Sequence, residues 1–148
     1  MAGWARFLLA RHGPVCFAGG MTLKALHHVA LIASDLDASL AFYGDLLGFE
    51  VVDRNFRAAR TSWKVDLRHP SGIGIELFTF PDAPPRPSRP EAQGLRHLAF
   101  AVTDLEAAIA PLKAAGIAVE PIRTDPYTGA RFTFFPDPDG LPLEFYES

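Results

Sequence analysis

The chain is poor in cysteine, in net positive charge and in long apolar runs. Of its 148 residues only Cys16 is a cysteine. That excludes a disulfide framework and a cysteine-built zinc site within one chain, so any metal must be held by His, Asp and Glu. A single thiol agrees with a cytoplasmic protein. The net charge is −3, whereas a nucleic-acid binder usually shows a basic face. No run approaches the roughly 20 apolar residues that span a bilayer as a helix. Neither nucleic acid nor membrane is therefore expected as a partner. What is present is an ordinary globular balance, 49% apolar and 21% charged, with chain enough for one domain or two small fused modules. The first twenty residues, MAGWARFLLARHGPVCFAGG, lack an amphipathic period. WARFLLA is apolar, but the basic start and full apolar stretch of a signal peptide are missing. Residues 1–20 are expected to be a dispensable extension outside the fold, with Met21 leading into the first strand.

A repeat organises the remainder. LHHVALIASDLD (26–37) is echoed by LRHLAFAVTDLE (95–106). His28 and His97 are 69 apart, as are Asp35 and Asp104; after the helix the offset falls to 68, as in Gly48 and Gly116. HPSGIGIELF (69–78) matches DPDGLPLEFY (137–146) at that second offset, pairing Glu76 with Glu144. Each half reads as strand, helix, then three strands. In the first, Ser34 or Asp35 caps a helix through LDASLAFYGDLL that Gly48 ends. FEVVDRNF, SWKVDLRH and GIELFTF follow as strands. In the second, a helix from about Leu105 to Ala115, which Pro111 should kink or weaken, precedes strands over IAVEPI, RFTFF and PLEFYE. The proline-rich PDAPPRPSRP (81–90) between them reads as a stiff linker.

Strand side chains alternate, which sorts the faces. Glu76, Phe78 and Phe80 share one face, opposite Ile75 and Leu77. Glu144 and Tyr146 share one, opposite Leu143 and Phe145. The aliphatic faces should take the helices, leaving the glutamates on the concave side with His28, Ala30 and Ile32 and with His97, Ala99 and Ala101. His27 should point the other way, and His69 should lie in a turn. Singly, a histidine at a strand start is usually a satisfied polar residue and an alternating glutamate is usually solvated. Jointly, two histidines and two glutamates recur at equivalent places in a duplicated unit. Burying two unpaired carboxylates costs several kcal/mol each, a cost that a divalent cation removes. Two imidazoles with two carboxylates suit Zn, Ni, Co, Mn or Fe.

The stretches HHVALIASDLDASLAFYGDLLGF and LEFYE resemble the vicinal-oxygen-chelate superfamily, which includes glyoxalase I, bleomycin- and fosfomycin-resistance proteins and extradiol dioxygenases. The resemblance runs from Leu26 to Glu147. It implies an α+β fold, two tandem βαβββ modules forming a cupped mixed β-sheet with helices on the outside. One domain, 21–148, would comprise module one (21–80), a linker (81–94) and module two (95–148). Metal ligands in that superfamily come from the first and last strand of each module, which here implies His28, Glu76, His97 and Glu144 around one divalent ion. A homodimer is implied, with the cup built either within a chain or across two.

A set of four with two carboxylates is similar to that of glyoxalase I, where the metal holds both oxygens of an enediolate while a glutamate moves a proton between adjacent carbons. The resemblance therefore implies a lyase or isomerase of glyoxalase type for a small 2-oxo or hemithioacetal substrate, with Glu144 and Glu76 as catalytic carboxylates. Two positions depart from glyoxalase I: Ile32 stands where an arginine used for glutathione is usual, and Phe80 where an asparagine is. Glutathione itself is thus not implied. RPSRPEA, GLRHLAF and DPYTGARFTFF are similar to a short bacterial glyoxalase-like group. Candidate substrate contacts are Arg131 first, then Lys64, Phe78 and Tyr146, with Arg60, Arg86 and Arg89 near mouth loops, although a cation in such a place is more often a plain surface charge. The competing readings are an Fe-dependent dioxygenase and a non-catalytic small-molecule binding protein.

Overall fold

The computed structural model describes residues 23–148. The expected extension, with His12 and Cys16 in it, lies outside the described residues. Module one runs β1 (Val29–Ile32), α1 (Leu36–Leu40) with a π-helical continuation (Ala41–Leu46), β2 (Glu50–Arg57), β3 (Ser62–Arg68) and β4 (Gly74–Phe78). Module two runs β5 (Leu98–Val102), α2 (Leu105–Ala114), β6 (Arg123–Thr124), β7 (Arg131–Pro136) and β8 (Pro142–Glu147). The sheets have equivalent strand orders, β1-β4-β3-β2 and β5-β8-β7-β6. In each, the first strand lies parallel to the last and the other pairs are antiparallel. This is the expected pair of βαβββ modules, as two separate four-stranded mixed sheets.

Both helices begin at the expected caps. Asp35 accepts from the Ala38 amide at 3.0 Å and Asp104 from the Ala107 amide at 2.9 Å, each satisfying one of the free N–H groups of the first turn. The change of offset from 69 to 68 has a structural counterpart. Module one carries one more residue between cap and stop glycine, and the helix absorbs it as the π-helical turn at Ala41–Leu46. An inserted residue held inside a helix widens one turn in this way. The wider turn lets two consecutive side chains, Phe42 and Tyr43, both be buried.

The aliphatic faces meet the helices in one continuous core. Val65, Leu67, Ile75 and Leu77 of the first sheet and Phe135, Leu143 and Phe145 of the second join Leu36, Phe42 and Tyr43 of the first helix and Leu105, Ile109 and Leu112 of α2. Truncating such a side chain to Ala removes its transfer energy and leaves a cavity, at about 2–5 kcal/mol. The modules are therefore joined through their helical sides, and each sheet keeps its other face free.

One expectation changes. The segment IAVEPI is not a strand; ladder pairing there is confined to Arg123–Thr124. Pro121 has no N–H to give a ladder, yet the segment still lies along β7, with the Glu120 amide donating to the Phe134 carbonyl at 2.8 Å. Helix α2 spans Leu105–Ala114 with Pro111 inside it, close to the expected extent.

Candidate functional site

The four residues singled out by the repeat come together two by two. In the first half-site, His28 Nε2 lies 3.7 Å from Glu76 Oε2. In the second, His97 Nε2 lies 2.9 Å from Glu144 Oε2. The strand registers explain the pairing: Ala30 stands beside Glu76 and Ala99 beside Glu144, so each histidine, two residues earlier on its strand, shares the glutamate's face. The small Ala30 and Ala99 leave that face open. Glu144 is buried and Glu76 half-buried. The half-sites lie in different clefts, one lined by His28 and Glu76, the other by His97 and Glu144. Among the described residues no group of three or more His, Cys, Asp or Glu side chains is placed to hold a metal.

The half-sites differ in surroundings. Across from Glu76 in β3 stands Asp66, and Lys64 stands across from Phe78. Lys64 Nζ contacts Asp66 closely and Glu76 Oε1 at 3.1 Å. Those contacts, with Asp66 first, hold the Lys64 ammonium above its ordinary pKa. In module two the same positions carry Phe134, across from Glu144, and Phe132, across from Tyr146. Arg123 stacks over Phe132 and Phe134, at 5.1 and 5.3 Å, and bonds Glu120 at 2.8 Å. Arg96 lies 6.0 Å from the Phe134 ring centre and 3.4 Å from His97 Nδ1. One half-site is thus a carboxylate cluster held by an ammonium, and the other an aromatic floor with two guanidinium groups.

Of the expected substrate contacts, Lys64, Phe78 and Tyr146 are on the free faces. Phe78 stacks on Phe80 and lies under Arg57 at 4.8 Å. Tyr146 stacks on Phe132 and donates to Asp125 at 3.1 Å. Arg131 is a correction. It alternates with Phe132, shares its face with Thr133 and Phe135, and turns to the helix side. There it bonds Glu147 at 2.7 Å and Glu106 at 2.6 Å, a clamp between β7, β8 and α2 with no reach into either cleft. Glu147, then Glu106, hold its pKa above the ordinary value. His27 is a second correction, since it also lines the first cleft. Its Nδ1 lies 2.8 Å from His28 Nδ1. Asp66, Arg96, Arg123, Phe132 and Phe134 were missed by the sequence reading. Applying the repeat to β3 and β7 would have found all but the arginines.

Two βαβββ modules, each offering an imidazole nitrogen and a carboxylate on a free sheet face, define a chelating fold built by duplication. The chain belongs to the Glyoxalase/Bleomycin resistance protein/Dioxygenase superfamily, whose family model matches residues 25–145. It is 58% identical over 125 residues to the uncharacterized protein YaeR of Escherichia coli, covering 84% of this chain and 97% of that one. It is 32% identical to a 2-epi-5-epi-valiolone epimerase of Actinomyces sp, covering 81% of this chain and 77% of the epimerase. Among solved structures, a glyoxalase family protein from Enterococcus faecalis matches with a TM-score of 0.79 and 49% identity, covering 84% of this chain and 98% of that one. Members of the superfamily include epimerases and dioxygenases, so the relatives support an enzyme in general.

Proposed function

We propose that this chain is a metal-dependent enzyme that moves a proton at a carbon next to a carbonyl, on a small 2-oxo or hemithioacetal substrate, and that its site is completed between two copies of the chain. The observation that carries this reading is the duplicated His–Glu pair, split between two clefts of one chain. Each pair supplies two ligands, a nitrogen and an oxygen, and a stable site for a divalent ion of this type takes about four. The outer edges of β1 and β5 pair with no other strand among the described residues. Beside them the free faces carry Ile32, 56% exposed, and the exposed Ala30, Ala99 and Ala101. An unpaired edge beside an apolar face favours a second chain. Joining β1 of one copy to β5 of its partner would set His28 and Glu76 opposite the partner's His97 and Glu144.

The donor set suits a divalent cation, with His28, Glu76, His97 and Glu144 as the residues that would hold it. Bound there, the cation would supply the positive charge that makes a carbon acid beside a carbonyl strong enough to ionise. The chain's own contribution is the base. Glu144 is buried, faces the cleft, and sits over Phe134, which keeps water from its side. A carboxylate so placed takes a proton from one face of a substrate and returns it to the neighbouring carbon. Return to the neighbouring carbon is isomerisation, whereas epimerisation needs a proton delivered to the opposite face of the same carbon, for which Glu76 is the second carboxylate; glyoxalase-type and epimerase-type outcomes thus draw on the same pair of glutamates. Arg96 and Arg123 favour a substrate with a negative group.

The test is proton exchange. Metal-loaded protein in heavy water, given small 2-oxo acids and the hemithioacetal of methylglyoxal, should place deuterium beside the carbonyl of one of them. Glu144→Gln with full metal occupancy should slow this by about 10² to 10⁴. An unchanged rate in that variant would remove Glu144 as the base. Oxygen uptake by iron-loaded protein without exchange would point to a dioxygenase instead.

A further inference from the structure

The duplication makes two seams where a helix of one module meets the hairpin of the other, and the seams are not alike. In the first, Tyr43 and Phe42 reach from module one to the Asp137–Leu141 turn of module two. Tyr43 donates to Asp137 Oδ2 at 2.8 Å, the Ser34 amide donates to Asp139 at 3.2 Å, and Ala33, Ser39, Phe42, Tyr43 and Leu141 are all buried. The ring of Tyr43 fills the interior of this seam and its hydroxyl is satisfied by Asp137, leaving only an open surface groove over Phe42, Ile117 and Pro138.

The equivalent residues of the second seam follow from the offsets of 69 and 68. Pro111 and Leu112 stand for Phe42 and Tyr43, Ala108 for Ser39, His69 for Asp137, and Ile73 for Leu141. No ring fills the middle. A cavity of about 340 Å³ remains, lined by Phe49, His69, Phe100, Ala108, Leu112 and Phe145 among others. Ile73 at its rim is 37% exposed, where Leu141 is buried. The aromatic bulk of this seam lies in the walls, since Phe49, Phe100 and Phe145 replace Ile117, Leu31 and Leu77 of its mate. The volume is that of a small-ligand site, and the lining is the usual one, apolar and aromatic with few polar groups.

The polar groups are His69 and Ser71. The Ser71 amide donates to His69 Nδ1 at 3.1 Å and the Ser71 hydroxyl lies 2.7 Å from the same nitrogen; with Nδ1 accepting from both, the neutral ring carries its hydrogen on Nε2. Asp137 accepts in the sealed seam; His69 donates in the open one. We infer that this cavity binds a small aromatic molecule carrying a hydrogen-bond acceptor, of the phenol or aryl-carbonyl class, which takes the place that Tyr43 takes in the sealed seam. The site is separate from the half-sites, since it lies on the helical side of the sheets, behind β5.

The probe is p-cresol, the tyrosine side chain as a free molecule, added to the full chain with amide shifts read by NMR. Shifts should cluster at residues 46–49, 69–73 and 100–102. Toluene, which has no acceptor, should bind about tenfold more weakly, the loss expected for one buried hydrogen bond. Ala108→Leu should fill the cavity and abolish binding without lowering the melting temperature. His69→Asn, which keeps an acceptor for the Ser71 amide and removes the Nε2 hydrogen, should weaken p-cresol to the toluene level and leave toluene unchanged, and it carries the test if Ala108→Leu does not fold. No binding by the full chain up to saturation, shifts at the half-sites instead, or indifference to both variants would overturn the proposal. Binding that appears only after residues 1–20 are removed would overturn it too, by assigning the cavity to the chain's own N-terminal segment.

Discussion

Tyr43 and Asp137 are the most consequential buried polar pair in the described chain, because neither can be spared alone. Burial pushes the Asp137 carboxyl above its ordinary range, against the lowering effect of the amides of Leu141 and Asp139 and of the Tyr43 hydroxyl. Burial and the neighbouring carboxylate likewise raise the Tyr43 hydroxyl far above its usual value. Tyr43→Phe would leave a buried carboxylate short of one donor, at a cost of about 1.5–3 kcal/mol near neutral pH. The sign with pH follows from linkage. A carboxyl whose folded pKa is raised binds its proton more readily folded than unfolded, so it favours the fold at pH below the unfolded value and loses that favour as pH rises through the folded one. Removing the hydroxyl raises the folded value further. The destabilisation by Tyr43→Phe should therefore shrink on acidification, which urea denaturation at several pH values would measure; a cost that grows toward low pH would contradict the assignment.

At the scale of elements, Arg131 shows the opposite pH dependence. Arg131, more than any other group, holds the carboxyls of Glu106 and Glu147 below their ordinary range. Their contribution is thus present above the unfolded carboxylate pKa and is lost as pH falls through the lowered folded values. Arg131→Gln should flatten the acid side of the stability profile and loosen α2 on β7 and β8 while leaving metal affinity unchanged; a drop in metal affinity would return Arg131 to the cleft. That residue also marks how far the sequence could be read. Alternation already puts Arg131 on the face of Thr133 and Phe135, away from the cleft to which its charge alone would assign it. Charge says nothing about face, and period two does. The caps at Asp35 and Asp104, the module order and the His–Glu pairings were legible because local chemistry and duplication agreed on them. The π-helical turn was legible as a change of offset but not as a shape. The loss of a strand at IAVEPI followed from Pro121, whose missing N–H the apolar alternation concealed. The division of the four candidate ligands between two clefts was not legible, since the module contacts arise from tertiary packing of helices.

For the whole molecule, the account rests on the two half-sites being completed between chains. A divalent ion that binds only the folded assembly raises its stability by about 2.7 kcal/mol at a hundredfold excess over Kd. Chelation should lower the melting temperature, and added metal should restore it. The most direct measurement mixes two variants that each lack one half-site. One carries His28→Ala with Glu76→Ala, the other His97→Ala with Glu144→Ala. Each alone should bind no metal tightly in equilibrium dialysis. Unfolded together and refolded as an equal mixture, about half of the dimers should be mixed, each with one complete site of two, so about a quarter of the wild-type metal should return. Recovery near that level is what the account predicts. No recovery in a mixture that forms dimers, with the wild-type chain binding metal normally, would show that each site lies within one chain and would contradict it.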